Sequence, residues 1–189
     1  HVQALTALGA TVTMQKRGVF EIRARQLHGA GYLLLAEASV TATENALMAA
    51  VLARGETVID NAACEPHVRD LCRFLNQMGA CIEGVGSNRL TIRGVERLGG
   101  TEYRIGSDFM EVGSFIGAAA VTHGEVRIRD AQPENLGMIR LVYGRMGVRW
   151  EDHGADIVLP ADQELAIQEG LRGRTPEITP LPWRAFPPD

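Results

Sequence analysis

One short segment of the sequence combines residue types that could bind an anion. It reads AEASVTATENALMAAVLA over residues 36–53 and leads from a predicted strand into an apolar helix. Thr41 or Thr43 can cap that helix, and Glu44 suits its first turn. The first N–H groups of a helix lack intrahelical partners, so they can also bind a phosphate. Every helix has such an end, and the spacing alone leaves structural capping and phosphate binding both open.

The cysteines and histidines lack the spacing of a metal site. Cys64, Cys72 and Cys81 contain no CxxC pair, and no histidine has a second ligand at metal spacing. We therefore expect no metal and no cofactor. The simplest interpretation of the three cysteines is small buried thiols in a reducing cytoplasm.

Length and charge exclude several classes of protein. The chain has 189 residues, which predicts one or two domains, and no apolar run long enough to span a bilayer. Its formal net charge of −4 argues against a nucleic-acid binder. Lys16 is the only lysine, so an anion site must use arginine, backbone N–H groups or residues outside this chain.

The sequence repeats with a long period. Gly9, Gly79 and Gly147 are the middle residues of the similar tripeptides LGA, MGA and MGV, and they lie 70 and 68 residues apart. The hexapeptide at 55–60, GETVID, matches GEVRIR at 124–129. This period is longer than that of the common solenoids, so each repeat is predicted to be a small α/β module.

Within one repeat the order of the elements can be predicted. GETVIDNA is a strand, and EPHVRDLCRFLNQMG is a helix with Pro66 at its first position and Gly79 just past its end. ACIEGVGSNRLTIRG then predicts two strands around a glycine-rich turn, and TEYRIGSD predicts a further strand. The apolar face of this helix is predicted to comprise Val68, Leu71, Leu75 and Met78. The corresponding helix of the next repeat is predicted to have an apolar face of Leu136, Ile139, Tyr143 and Met146.

A second type of helix is apolar nearly all round. It occurs at residues 43–53 and 113–122, and such helices are expected to be buried on every side. The predicted fold is therefore α/β, with βαβαββ units grouped about an axis and the apolar helices at the centre.

The chain resembles a known family, the enolpyruvyl transferases, and within it UDP-N-acetylglucosamine 1-carboxyvinyltransferase. The resemblance is carried by the block from Ser39 to Gly100, which begins SVTATENALMAAVLA and ends TIRGVERLGG. It continues through EVGSFIGAAAV and RDAQPENL to RAFPPD, and so covers essentially the whole chain.

The resemblance implies an inside-out α/β barrel, in which the helices lie inside and the sheets outside. Members of the family have two domains of three units each, so this chain would be an internal fragment. Residues 1–106 would end the first domain, and residues 107–189 would open the second. The proline-rich ending PLPWRAFPPD agrees with a chain that is cut within a loop.

The resemblance also implies a reaction. An enolpyruvyl group moves from phosphoenolpyruvate to the 3′-hydroxyl of UDP-N-acetylglucosamine, the first committed step of peptidoglycan synthesis. The base of the family, an aspartate in a motif like AFPTD, corresponds to Asp189 in AFPPD. The reactive cysteine of the family would lie on a loop just upstream of His1, so none of the three cysteines present takes its role.

The substrate contacts that the resemblance implies lie before the first apolar helix, at Glu37, Ala38, Ser39, Val40 and Thr41. Three positions depart from the family. Glu37 and Phe109 stand where a basic residue occurs in other members, and Thr41 stands where glycine is frequent. These departures weaken the implied contacts.

Three acidic residues precede predicted helices. Asp108 and Glu111 are interpreted as capping the second apolar helix, with a domain-interface or hinge role as the alternative. Glu65 before Pro66 is interpreted as favourable charge at a helix start.

Three functions stay under consideration. The first is a fragment of the enolpyruvyl transferase that is inactive alone. The whole protein would be cytoplasmic, would act in cell-wall synthesis, cell shape and cell division, and would bind small-molecule substrates. The second is a paralogue that binds a UDP-sugar without catalysis, and the third is the sister reaction on a shikimate acceptor. We expect no nucleic-acid or membrane partner, and a broken unit favours self-association through unpaired strand edges.

Overall fold

The computed structural model describes residues 1–169, 173–175, 177–181 and 183–187. The chain divides into two compact units, His1–Ile105 and Gly106–Asp189. The correspondence of these two units to the two domains that the family resemblance implies stays a prediction. Within the described residues, no helix has both the length and the apolar character needed to cross a membrane.

The first unit contains a complete βαβαββ module. A short helix α1 (Val2–Ala7) and an antiparallel hairpin, β1 (Thr11–Met14) and β2 (Phe20–Arg23), precede it. The module itself comprises β3 (Gly31–Leu34), α2 (Val40–Ala50), β4 (Glu56–Asp60), α3 (Pro66–Gln77), β5 (Cys81–Glu83) and β6 (Arg89–Arg93). The predicted order is therefore confirmed for this stretch.

The sheet of this module has the strand order β3-β4-β6-β5. Strands β3 and β4 are parallel, with Leu34 opposite Asp60, whereas the other pairs are antiparallel. Because β3 and β4 are parallel, their carboxyl ends meet at the same edge of the sheet. The segment that follows β3 and the loop that follows β4 lie at that edge.

Helix α3 begins and ends where its sequence predicts. Pro66 occupies the first turn, where its missing N–H has no intrahelical partner to lose. Gly79 follows the last turn with φ +103°, a conformation that glycine adopts without steric cost. The predicted apolar face is also correct: Val68 and Leu75 are buried, and Leu71 and Met78 pack against the same core.

The second unit repeats most of this pattern. It comprises α4 (Phe109–Val121), β7 (Val126–Ile128), α5 (Gly137–Gly144), β8 (Glu151–His153) and β9 (Asp156–Leu159), with the strand order β7-β9-β8. The predicted face of α5 and its flanks is confirmed, since Leu136 and Ile139 are buried and Tyr143 and Met146 pack on the core.

The strand predicted for TEYRIGSD is wrong. Residues 101–108 contain no strand. Part of this segment is bonded to α3 instead, where Gln77 Nε2 donates to the Glu102 carbonyl at 2.8 Å and the Tyr103 hydroxyl donates to Asp70 Oδ1 at 2.6 Å. These contacts hold it as a connection against α3 rather than as part of a sheet.

The prediction that both apolar helices are buried on every side is also wrong for this chain. Helix α2 exposes Met48 by 47%, and α4 exposes Phe115 by 61% and Val121 by 71%. The core of its own unit covers one side of each apolar helix, and α1 also packs against α2. The opposite side therefore faces solvent in this structure.

Candidate functional site

The segment Glu37–Thr41 connects β3 to α2 at the carboxyl edge of the first sheet. Glu37 and Thr41 are exposed, and the three residues between them are half-buried. Ligands of α/β sheets commonly bind outside the carboxyl ends of parallel strands. The location and exposure of this segment are compatible with the predicted substrate contacts, whose role stays a prediction.

Ser39, rather than a threonine, caps helix α2. Its φ and ψ of −74° and 126° are extended, and its hydroxyl oxygen accepts a hydrogen bond from Ala42 N at 3.3 Å. The capping predicted for Thr41 or Thr43 is therefore wrong, and Glu44 lies beyond the first turn. All three hydroxyl residues favour N-cap positions, and only the backbone conformation distinguishes them.

Thr43 has a different role at the start of the helix. Its side chain is fully buried, donates from Oγ1 to the Ser39 carbonyl at 2.7 Å, and accepts from Ala63 N at 2.9 Å. The hydroxyl thus joins the helix start to the loop after β4. Sequence reasoning missed this contact, because Thr43 and Ala63 lie twenty residues apart.

Asn61 fixes the other end of the same region. It has a left-handed backbone with φ 58°, and its Nδ2 donates to the Leu35 carbonyl at 3.1 Å. Asparagine tolerates this conformation better than most residues. The signal in the sequence that could have identified it was an asparagine near the end of the predicted strand GETVIDNA, directly after the point where the observed strand β4 ends.

A third contact reaches this segment from α1. The Thr41 hydroxyl lies 3.2 Å from His1 Nε2. The first residue of the chain therefore lies beside the start of α2.

The predicted base, Asp189, lies outside the described residues, so its assignment stays a prediction. The residues just before it belong to the second unit, where Leu181 N donates to the Phe186 carbonyl at 3.1 Å. The Phe186 ring lies 6.1 Å from that of Tyr143.

The start of α4 differs from the start of α2 in its cap. Asp108 is the N-cap, and its carboxylate accepts from Met110 N at 2.9 Å and Glu111 N at 3.3 Å. The predicted capping role of Asp108 is confirmed, and Glu111 lies in the first turn. Phe109 points into the core of the second unit, where it is 4% exposed and its ring lies 5.0 Å from that of Trp183.

The remaining predicted residues lie in structural positions. Glu65 is the N-cap of α3 and is nearly buried, in agreement with its interpretation as charge at a helix start. Burial raises the pKa of the Cys72 thiol to about 11, although Arg73 opposes the shift. The prediction of buried thiols is correct for Cys72 only, because Cys64 and Cys81 are half-buried. Among the described residues, no cluster of histidine, cysteine and acidic side chains could hold a metal ion.

Three comparisons relate this chain to known proteins. The sequence model of the family described as EPSP synthase (3-phosphoshikimate 1-carboxyvinyltransferase) matches residues 1–189. UDP-N-acetylglucosamine 1-carboxyvinyltransferase from Treponema denticola is 51% identical over 189 residues, and that from Borreliella burgdorferi is 50% identical. Both alignments cover 100% of this chain and 44% of the relative, so the chain spans less than half the length of these relatives.

Solved structures give the same fold at lower identity. The enolpyruvyl transferase NikO from Streptomyces tendae is 21% identical, with a TM-score of 0.74 over 84% of this chain and 41% of its own. EPSP synthase from Acinetobacter baumannii is 22% identical, with a TM-score of 0.66 over 93% of this chain and 41% of its own. The fold is therefore the mixed α/β fold of these enzymes, and the chain belongs to the EPSP synthase (3-phosphoshikimate 1-carboxyvinyltransferase) family.

Proposed function

We propose that this chain is part of an enzyme that transfers the enolpyruvyl group of phosphoenolpyruvate to the 3′-hydroxyl of UDP-N-acetylglucosamine. The observation that carries this proposal is the 50–51% identity, over the whole chain, to two relatives named for that reaction. The protein would then act in the cytoplasm, where it would begin peptidoglycan synthesis and so contribute to cell shape and division.

The start of α2 supports a site for the diphosphate of the UDP-sugar. Its cap, Ser39, is neutral, so the positive end of the helix is available to an anion. The N–H groups of Val40 and Thr41 precede the first intrahelical bond, which Thr43 N donates to the Ser39 carbonyl at 3.0 Å. These two N–H groups and the Ser39 hydroxyl can donate to phosphate oxygens.

The start of α4 is a poorer anion site, although its backbone is similar. There the carboxylate of Asp108 already accepts two N–H groups and compensates the helix dipole. A second negative charge at that position would be repelled. The comparison favours α2 as the anion site, with exposed Glu37 as its one unfavourable neighbour.

The chemistry requires a base at the 3′-hydroxyl of the sugar and an acid at the methylene carbon of phosphoenolpyruvate. As Asp189 accepts the proton of the 3′-hydroxyl, that oxygen bonds to C2 of phosphoenolpyruvate while an acid protonates the methylene carbon. Elimination then removes a proton from that carbon and releases phosphate. The family's acid would precede His1, and the contact between His1 and Thr41 supports a location for that segment close to the candidate site.

The exposed apolar sides of α2 and α4 support the finer architecture. In an inside-out α/β barrel, helices of further units would cover Met48, Phe115 and Val121. The domain boundary would fall near Gly106–Asp108, close to the division between the two compact units.

The test uses the full-length gene product. Phosphate release from phosphoenolpyruvate is followed with UDP-N-acetylglucosamine, and separately with shikimate 3-phosphate, as the acceptor. We expect release only with the UDP-sugar, and a fall of about 10²–10⁴-fold in Asp189→Ala, as for loss of a general base. Asp162→Ala, the same change at an exposed position of the same unit, is the control.

Each other outcome would point elsewhere. Release with shikimate 3-phosphate alone would favour the sister reaction, for which the matching family is named. UDP-sugar binding without release would favour a non-catalytic paralogue, with Glu37 and Phe109 as the first residues to revert.

A further inference from the structure

The first module contains a buried hydroxyl that joins the start of α2 to the loop after β4. Thr43 is fully buried near the start of α2. Its hydroxyl donates to the Ser39 carbonyl, which belongs to Glu37–Thr41, and accepts from Ala63 N in the loop after β4. We propose that Thr43 is a positioning residue that holds this segment in the shape that binds the diphosphate of a nucleotide sugar. This inference rests on the proposed function and extends it to a residue that contacts no substrate.

The geometry joins the segment to the loop after β4 at both ends. At one end, Thr43 Oγ1 bridges the Ser39 carbonyl and Ala63 N. At the other end, Asn61 Nδ2 bonds to the Leu35 carbonyl. The residues between Leu35 and Ser39 therefore run between two fixed points, and both points are supplied by residues 61–63.

The repeat supplies a natural comparison. Matching residues 55–60 with residues 124–129 places Ser39 opposite Asp108, and these residues are the N-caps of α2 and α4. The same match places Thr43 opposite Val112, which is 5% exposed. Valine has nearly the shape of threonine, so the shape alone fills this position of α4, where the matching loop N–H, that of Gln132, donates to the Ala155 carbonyl instead. In the first unit it is the hydroxyl of Thr43 that bonds the loop to the helix start.

The loss of that hydroxyl should act on the segment. Ala63 is 2% exposed, so its N–H would lose its partner in a nearly dry environment if Thr43 became valine. A buried N–H needs a partner, so the loop after β4 would shift to find one. The start of α2 would then lose its connection to this loop.

The experiment measures the affinity of the full-length protein for UDP-N-acetylglucosamine by calorimetry, with thermal melting of each variant as a check on folding. Thr43→Val should raise the Kd by about tenfold or more. Thr43→Ser keeps the hydroxyl and should restore the affinity to near that of the wild type.

The matched control is Thr57→Val. Thr57 is 1% exposed, and its Oγ1 accepts from Ala30 N at 3.1 Å near the opposite end of β4. This variant loses the same kind of hydrogen bond away from the candidate site. It should melt at a lower temperature and bind the UDP-sugar as the wild type does.

A second variant tests the other fixed point and keeps the test decisive if Thr43→Val does not fold. Asn61→Gly removes the bond to the Leu35 carbonyl, and glycine accepts the φ of 58° without strain. It should also raise the Kd.

Wild-type Kd values in both Thr43→Val and Asn61→Gly would overturn the inference and leave the proposed function intact. An equal loss of affinity in Thr57→Val would also overturn it, because the effect would then be general destabilisation. A wild-type protein that does not bind the UDP-sugar would overturn both the proposed function and this inference.

Discussion

The position of Phe109 can be tested by introducing arginine, a basic residue of the kind that the family resemblance implies at this position. Phe109 is 4% exposed in the core of the second unit, whereas Phe115 on the same helix is 61% exposed. The two substitutions Phe109→Arg and Phe115→Arg therefore make one chemical change in two opposite environments.

The expected magnitudes follow from burial. Removing a buried phenylalanine side chain costs about 3–5 kcal/mol, a range that already includes ring contacts such as the edge contact with Trp183. An unpaired guanidinium cannot replace the ring in the core, although its long stem can reach towards water. We expect Phe109→Arg to lower the free energy of unfolding by about 3–5 kcal/mol, and Phe115→Arg to change it by less than about 1 kcal/mol.

Urea denaturation followed by tryptophan fluorescence measures this difference. Trp150 and Trp183 are the only tryptophans of the chain, and both belong to the second unit. Trp150 is buried in the same core as Phe109, and Trp183 packs against it. The reasoning is refuted if Phe109→Arg unfolds at the wild-type urea concentration. If the same substitution in the full-length protein also raised the rate of phosphate release, position 109 would be a substrate contact rather than a core position.

Three further predictions concern stability. A Cβ at Gly94 would lie 1.6 Å from the Ala53 carbonyl oxygen, so Gly94→Ala should lower the free energy of unfolding by about 3 kcal/mol or more in thermal denaturation. A Cβ at Gly100 would have no atom within 4 Å, so Gly100→Ala should lower it by less than about 0.5 kcal/mol. Equal costs would contradict this packing. Because burial raises the pKa of Cys72 from 9.0 to about 11, the unfolded chain releases that proton first, and the free energy of unfolding should fall between pH 9 and pH 11. Cys72→Ala should lose this component, and an unchanged pH dependence would contradict the assignment. Tyr103→Phe removes the 2.6 Å hydrogen bond to Asp70 and should cost about 1 kcal/mol in urea denaturation, and a variant as stable as the wild type would show that the bond is not formed in solution.

The elements with local signals could be predicted from the sequence. Helix α3 has a proline in its first turn and a glycine after its last, and both act within the helix itself. The strands β5 and β6 flank Gly84 and Gly86, whose φ values of +80° and +91° suit glycine. Signals of this kind require no knowledge of the rest of the fold.

The errors occurred where a distant partner decides the structure. The segment 101–108 has the composition of a strand but bonds to the side chains of Asp70 and Gln77, which sequence patterns cannot locate. Helix α2 is apolar nearly all round after its first turns, and its composition does not say how much of the covering surface belongs to the same chain.

The sequence indicated which segment forms the candidate site, but it did not indicate the backbone conformation or the hydrogen bonds of that segment. The resemblance to the family indicated Glu37–Thr41, yet the cap and the two bridges depend on backbone angles and on contacts across twenty or more residues. Phe109 shows the same limit, because its burial depends on Trp183, far away in the sequence.

The caps of the two apolar helices bear on how the repeated modules could have diverged. Ser39 and Asp108 satisfy N–H groups at equivalent positions, and serine and aspartate are N-caps of similar strength. Selection for stability alone therefore places little pressure on which of the two residues stands there. A mutation that exchanged them would leave the module folded while it removed or created an opening for a negatively charged ligand. Under the proposed function, the choice of cap residue alone distinguishes the copy of the module that binds an anion from the copy that does not.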